Sequence, residues 1–224
     1  MAGLAEKNIW IIANWKSNKT IAEALDWVST VGPKLPMQDN LKIVVCPTFS
    51  ALSEVKQAIT VGNFSLMVGS QDLSPFPNGP YTGEESAAIL KQFINLAIIG
   101  HSERRKNFNE TDEMIAKKVR QALESEIIPL VCVQGQQTPV HGVNLIAYEP
   151  IFAIGTGNPD TPENANKVAG SFRRSADIEV LYGGSVTSEN VKSFITMENI
   201  NGVLVGNASL DPEEFIKIVE VCEE

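Results

Sequence analysis

The chain has 224 residues, 43% of them hydrophobic and 20% charged, the make-up of a globular protein with enough length to bury a substantial core. Eighteen Lys and Arg against 27 Asp and Glu leave a formal charge of −9, which excludes attraction to nucleic acid or an anionic membrane by the overall field. Any anionic ligand must be gripped locally.

Short apolar or β-branched runs recur along the chain, each followed by a polar break and usually by helical spacing, the pattern of βα units around parallel strands. The run 9–13 reads as a first strand and is far too short for a secretory h-region or a membrane span, so a cytoplasmic protein is expected. Asn14-Trp15-Lys16 follows it, then a helix over 21–31. A strand at 43–46 precedes a helix at 51–58, and a strand at 65–68 precedes a helix at 86–93. The strand 96–99 runs into Gly100-His101-Ser102-Glu103-Arg104-Arg105, and Thr111 caps a helix over 112–124. Behind the strand 129–133 no helical pattern follows: the eleven residues 134–144 include Gln134, Gly135, Gln136, Gln137, Pro139 and Gly142, a composition of turns. The strand 145–148 ends in Tyr148-Glu149-Pro150, and Thr161-Pro162 opens a helix over 162–172. The strand 180–182 meets Gly183-Gly184-Ser185 before a helix at 188–194. The last strand, 203–205, meets Gly206, and Asp211-Pro212 opens a helix over 212–221.

Eight strands with seven covering helices predict a single (β/α)8 barrel spanning 1–224, shortened against a norm of about 250 residues and lacking the helix between strands 5 and 6. A doubly wound sheet is the rival, but no G-x-G-x-x-G or G-x-x-x-x-G-K-[ST] follows the first strand. Cys46, Cys132 and Cys222 are odd in number, far apart and without a C-x-x-C pair, so they read as reduced packing residues.

Function in such a barrel gathers where the strands end. Taken singly, the groups there have bland readings: Lys16 as a solvated amine, His101 as a structural loop histidine, Glu149 as a turn carboxylate. A carboxylate at the edge of an apolar run is nevertheless partly desolvated, which strengthens it as a base. Gly155-Thr156-Gly157, Gly183-Gly184-Ser185 and Gly206 follow strands six, seven and eight, where backbone N–H groups can be approached closely by a phosphate. Together they supply the local anion site that an acidic chain needs.

Read jointly, Asn14-Trp15-Lys16, the segment from Gly100 to Arg105, Tyr148-Glu149-Pro150-Ile151-Phe152-Ala153-Ile154-Gly155-Thr156-Gly157 and Tyr182-Gly183-Gly184-Ser185 resemble the triosephosphate isomerases, in the same order and over nearly the whole chain. Thr82-Gly83-Glu84 and Leu204-Val205-Gly206 add to the likeness. The resemblance implies interconversion of dihydroxyacetone phosphate and glyceraldehyde 3-phosphate through an enediolate, in glycolysis and gluconeogenesis, with no metal and no cofactor. It implies Glu149 as the base, His101 as a neutral electrophile and proton shuttle, Lys16 and Asn14 as stabilisers of the enediolate oxygens, and Glu103 as the group that holds Lys16; the family is a standard example of a glutamate base, neutral histidine and closing loop. Arg104 reads as a brace for the scaffold. The substrate phosphate would meet Ser185 and the N–H groups of Gly155, Gly206 and Asn207 beneath a lid over 153–157. The Thr82 loop of one chain would enter the active site of its partner, so at least a homodimer is expected, and a tetramer would bury the bare flank at strands 5 and 6.

The chain also departs from the family's pattern. Phe152 stands where the family has Trp, and Gln134-Gly135 where it has Gly-Glu, so the donor and the acceptor of an open-lid contact are both absent; altered lid kinetics with preserved chemistry are expected. Asn158-Pro159-Asp160 replaces a Lys-led hinge, and Pro159 restricts the backbone there. Asn207 replaces a second glycine, and its Cβ crowds the phosphate unless φ is favourable. Two other readings compete. One is a different phosphosugar enzyme on the same barrel, such as an epimerase or a synthase, for which His141 in a Pro/Gly-rich stretch offers no metal-ligand cluster. The other is a catalytically impaired phosphate-binding barrel, against which the joint presence of Asn14, Lys16, His101 and Glu149 stands.

Overall fold

Along each strand successive side chains leave opposite faces, and in this chain both faces are apolar. The computed structural model describes residues 7–135, 142–173 and 178–223, and shows what that pattern builds. β1 (Ile9–Asn14), β2 (Leu41–Cys46), β3 (Met67–Ser70), β4 (Leu96–Ile99), β5 (Ile128–Val133), β6 (Leu145–Tyr148), β7 (Glu179–Tyr182) and β8 (Gly202–Val205) form a closed barrel in chain order. β8 pairs in parallel with β1, Trp10 opposite Gly202 and Ala13 opposite Val205, which leaves the sheet without an edge. One set of alternate residues, including Ile12, Val44, Ile98, Leu130, Ala147 and Leu204, packs inside the barrel. The other set, including Ile11, Val45, Ile99, Val131, Ile146 and Val203, packs against the helices.

The helices are α1 (Ile21–Val31), α2 (Leu52–Gly62), α3 (Ala87–Leu90), α4 (Ser102–Phe108), α5 (Asp112–Glu124), α6 (Pro162–Phe172), α7 (Val191–Ile195) and α8 (Pro212–Glu223). Thr20 and Glu23 form a reciprocal capping box on α1, while the side chains of Thr111 and Thr161 accept from Met114 and Asn164 N–H at the starts of α5 and α6. These caps explain why the three helices begin where the sequence pattern starts them.

Elsewhere the boundaries move for local reasons. β3 runs two residues beyond the expected 65–68 because Gly69, which reads as a turn, is a strand residue: a Cβ there would lie 2.7 Å from Cys46 Sγ and 3.2 Å from Leu96 O, so only glycine fits between β2 and β4. The helix expected over 86–93 shrinks to Ala87–Leu90, since Asn95 N–H must already pair with Val68 O to start the next strand. The helix expected over 51–58 continues to Gly62, where Asn63 takes a left-handed cap with φ 49°. The helix expected over 188–194 begins only at Val191, because Asn190 Oδ1 accepts from Thr187 N–H in a turn before it. α4 has no counterpart among the helices expected from periodicity. The expectation that no helix lies between strands 5 and 6, and His141, fall on residues 136–141, which lie outside the described residues.

One buried charge cluster braces the scaffold. α5 presents Ile115, Lys118, Val119 and Ala122 to the interior, a helical stripe in which Lys118 is the single polar member. Its Nζ lies 2.6 Å from Asp72 Oδ1 and 3.1 Å from Glu110 Oε1. Arg104 completes the set, 2.8 Å from Asp72 Oδ2 and 2.7 Å from Glu110 Oε2, the bracing position its sequence context suggested. Burial pushes the Asp72 carboxyl above its ordinary value even with Lys118 and Arg104 beside it. Among the described residues, no helix is long and apolar enough to cross a membrane. Lys118→Met strips the cation from two buried carboxylates and is expected to cost about 3–5 kcal/mol. A thermal midpoint lowered by more than about 6 °C is the corresponding result in a melting experiment.

Candidate active site

The two-residue alternation of the strands also aims the site. In β1 Ile12 faces the interior and Ala13 the helices, so Asn14 turns inward at the C-terminal mouth of the barrel. In β6 Ala147 faces in and Tyr148 out, so Glu149 turns inward at the same mouth. There its Cγ lies 3.3 Å from the place a Cβ on Gly183 would occupy; the glycine at the end of β7 is what leaves room for the carboxylate arm.

His101 follows β4 and caps α4. Its Nδ1 accepts from Glu103 N–H at 3.2 Å, and a ring nitrogen that accepts carries no proton. The imidazole is therefore the neutral Nε2–H tautomer, and Nε2 lies 2.9 Å from Glu149 Oε1, to which it donates. The second oxygen of Glu149 accepts from Ser102 N–H at 2.9 Å. Base and imidazole thus touch directly, with Glu149 only 1% exposed.

Lys16 is held in the left-handed region, φ 55°, a conformation that costs a non-glycine residue about 1–2 kcal/mol. Two side chains fix it: Asn14 Oδ1 accepts from Lys16 N–H at 3.1 Å, and Gln71 Nε2 donates to Lys16 O at 2.8 Å. The first bond engages Asn14 Oδ1 and not its amide –NH2, and Asn14 lines the cleft. Lys16 Nζ lies 2.5 Å from Glu103 Oε1. Glu103 does not line the cleft; it stands behind Lys16 and contacts it.

The resulting cleft has a volume of about 380 Å³. Asn14, Lys16, His101 and Glu149 line it together with Gly155, Ser185, Gly206 and Asn207, so eight of the residues expected from the sequence meet in one place. Asn207 opens a 3-10 turn (Asn207–Leu210) and is not among the residues with positive φ, so its Cβ sits on ordinary backbone. Ser185 Oγ donates to Ala153 O at 2.6 Å and accepts from Gly157 N–H at 3.1 Å, which ties the segment 153–157 to the end of β7. Sequence reasoning missed Ser102, whose contribution is a main-chain N–H, and the cleft-lining Thr187, Glu189 and Asn190. Asn190 had a readable signal: an Asn three residues after a Thr in a turn caps it, and here its Nδ2 also donates to Ser185 O at 3.0 Å. Among the described residues no group of three His, Cys, Asp or Glu is placed to hold a metal ion.

A carboxylate, an imidazole and an ammonium gathered in a cleft at the mouth of a closed parallel barrel, beside a glycine-rich wall, define a (β/α)8-barrel protein of the enzyme type. The sequence model of the triosephosphate isomerase family matches residues 9–141 and 137–222. The triosephosphate isomerase of Alkaliphilus metalliredigens is 37% identical over 244 residues, which covers 93% of this chain and 97% of that protein. Those of Dehalococcoides mccartyi and Mesomycoplasma hyopneumoniae are each 37% identical, the first over 95% of both chains, the second over 93% of this chain and 97% of its own. The chain belongs to the triosephosphate isomerase family and is an isomerase.

Two tyrosines beside the site give it a pH signature. Burial first, and then the Asp160 carboxylate, push the Tyr148 phenol up from 10.0 to about 12, and burial raises Tyr182 as well. Between the ordinary and the raised value the unfolded chain has released a proton that the folded chain keeps, so stability falls as pH rises from about 10 to about 12. Tyr148→Phe is expected to flatten that fall relative to the parent chain, measured by urea unfolding at pH 9 and pH 11.5; lysine titration is common to both proteins and cancels.

Proposed function

We propose that this chain interconverts dihydroxyacetone phosphate and glyceraldehyde 3-phosphate, in glycolysis and gluconeogenesis, with Glu149 moving the proton between adjacent carbons. The observation that carries the reading is the 2.9 Å contact between His101 Nε2 and Glu149 Oε1 in a cleft shared with Lys16. A hydrogen on the carbon beside a carbonyl is weakly acidic, so a carboxylate removes it only if the developing oxyanion meets fixed donors in a dry site. His101 Nε2–H, the Asn14 amide and the Lys16 ammonium are those donors, and Glu103 keeps the ammonium in place. At rest Glu149 is occupied by His101 and Ser102. A substrate oxygen that takes over the imidazole N–H frees one oxygen of Glu149 to face the carbon, so binding itself uncovers the base. Because the donor is a neutral imidazole, it can lend and regain a proton between the two substrate oxygens without changing the net charge beside the base.

The phosphate is assigned to the N–H groups of Gly155, Gly206 and Asn207 and to Ser185, whose hydroxyl exchanges a lid partner for the anion. Backbone donors suit a chain of net charge −9, because they grip a dianion without needing a positive surface. The segment 153–157 serves as the lid that excludes water. The proton transfer calls for neither metal nor cofactor. All three cysteines are free and buried, with the Cys222 thiol pushed up to about 12 by burial, which suits a reducing cytoplasm.

A homodimer completes the proposal. The loop after β3 projects from the barrel as an ordered unit: Ser74 N–H bonds Glu85 O at 2.8 Å, and the rings of Phe76 and Tyr81 stack at 4.3 Å while each stays 38% exposed. Thr82 sits at its exposed end, placed to enter the site of a neighbouring copy, and paired dimers would cover further apolar surface. Light scattering at micromolar concentration is expected to give a dimer or a tetramer; a monomer overturns this part of the proposal.

In a coupled assay with glyceraldehyde 3-phosphate, Glu149→Gln is expected to lose about 10³-fold in kcat/KM and Glu149→Asp less. Phosphoglycolate, which shares the planar anionic shape of the enediolate, should bind the parent protein. A parent no faster than either variant overturns the isomerase reading, and phosphoglycolate binding without turnover then favours the impaired phosphate-binding barrel.

A further inference from the structure

One carboxylate of the cleft has no part in the proton transfer. Glu189 lines it on the side built after β7 and β8, together with Ser185, Asn190, Gly206 and Asn207. A turn puts it there: Asn190 Oδ1 accepts from Thr187 N–H at 2.9 Å, Val191 N–H donates to Thr187 O at 3.0 Å, and Asn190 Nδ2 donates to Ser185 O at 3.0 Å. The turn that carries Glu189 is thereby tied to the serine assigned to the phosphate. Glu189 itself is exposed, and among the described residues its carboxylate has neither a hydrogen bond nor an ion pair.

The charges around the cleft are unfavourable for an anion. Its lining holds one cation, Lys16, and two carboxylates, Glu149 and Glu189. Lys16 does reach the same side, since a Cβ on Gly206 would lie 3.9 Å from its Nζ, but that ammonium is already 2.5 Å from Glu103 Oε1. Glu103 is thus matched by Lys16, and Glu149 by the N–H groups of His101 and Ser102. Glu189 alone of the three keeps its charge uncompensated toward whatever enters. A carboxylate beside a phosphate raises the energy of the bound dianion, by an amount that salt screens because the group is exposed.

We propose that Glu189 is a specificity-determining residue that limits the affinity for dianions: from its place beside the phosphate-binding wall it repels the phosphate group, so that a ligand stays bound only when its three-carbon part also engages Asn14, Lys16 and His101, and inorganic phosphate leaves quickly. The inference rests on the assignment of that wall to the substrate phosphate. The competing reading is local, because an acidic residue just before a helix such as α7 stabilises the helix start. That role concerns stability and leaves ligand affinity where it is. Repulsion acts on the phosphate and spares a substrate that has none.

The test compares the parent chain with Glu189→Gln, Glu189→Lys and Glu189→Asp. The ligands are inorganic phosphate and phosphoglycolate; the substrates are glyceraldehyde 3-phosphate and phosphate-free glyceraldehyde. At about 20 mM salt, Glu189→Gln is expected to tighten both ligands and to lower KM for glyceraldehyde 3-phosphate by roughly three-fold, and Glu189→Lys by roughly ten-fold, with kcat changing less than KM. Glu189→Asp, which keeps the charge, should stay near the parent. Raising the salt to about 0.5 M is expected to erase most of the difference, and kcat/KM for phosphate-free glyceraldehyde should be alike in all four proteins. A folded Glu189→Gln protein with the parent's affinity for both ligands at low salt overturns the proposal, whatever its melting point. A gain that extends equally to phosphate-free glyceraldehyde overturns it too. Should Glu189→Gln not fold, the same readings on Glu189→Lys decide the matter. A parent chain that neither isomerises nor binds phosphoglycolate fails differently: it removes the functional assignment and not the role of Glu189 alone.

Discussion

Closure of the sheet is the constraint from which the remainder follows. With β8 hydrogen-bonded to β1, every strand has two neighbours, and its side chains have only two destinations, the barrel interior or the helical shell. Both are apolar, so a polar inward side chain finds water or a ligand only where the strand stops. Asn14 and Glu149 are the first polar inward positions beyond their runs, and they come out at the same rim. His101 arrives there from the other side of β5, which is why residues distant in the chain end within hydrogen-bonding distance.

The molecule treats buried carboxylates in two contrasting ways. Asp72 and Glu110 are compensated by full cations, Lys118 and Arg104, in an arrangement suited to permanence. Glu149 is satisfied by two neutral donors, an imidazole N–H and a main-chain N–H. Among the described residues lining the cleft, the cation Lys16 is paired with Glu103 and not with Glu149.

How much of this could be read in the sequence depends on the range of the interaction responsible. The eight strands and the helices α1, α5 and α6 were legible because period, caps and burial are local properties. β3 slipped because the tolerance of Gly69 within a strand is decided by Cys46 and Leu96, on either side of it. The segment 86–93 has helical composition, but a neighbouring strand claims its end. Lys16, His101 and Glu149 are ambiguous one by one and acquired roles only through their joint resemblance to a family; the cleft brings them together. Ser102 and Asp160 were not legible, since what matters about them is a backbone N–H or a carboxylate aimed across the fold. Lys118 was readable in part: a lone lysine on the buried stripe of α5 announces a charged partner without saying which.

The three buried thiols have a practical corollary. With burial holding each of them above the ordinary thiol range, the native chain is expected to react slowly with maleimides and other thiol-seeking dyes. A cysteine introduced at the outward-facing Phe152 would then be the single conjugation handle on the molecule. A fluorophore attached there would report the excursions of that segment in real time, against a background free of other labels.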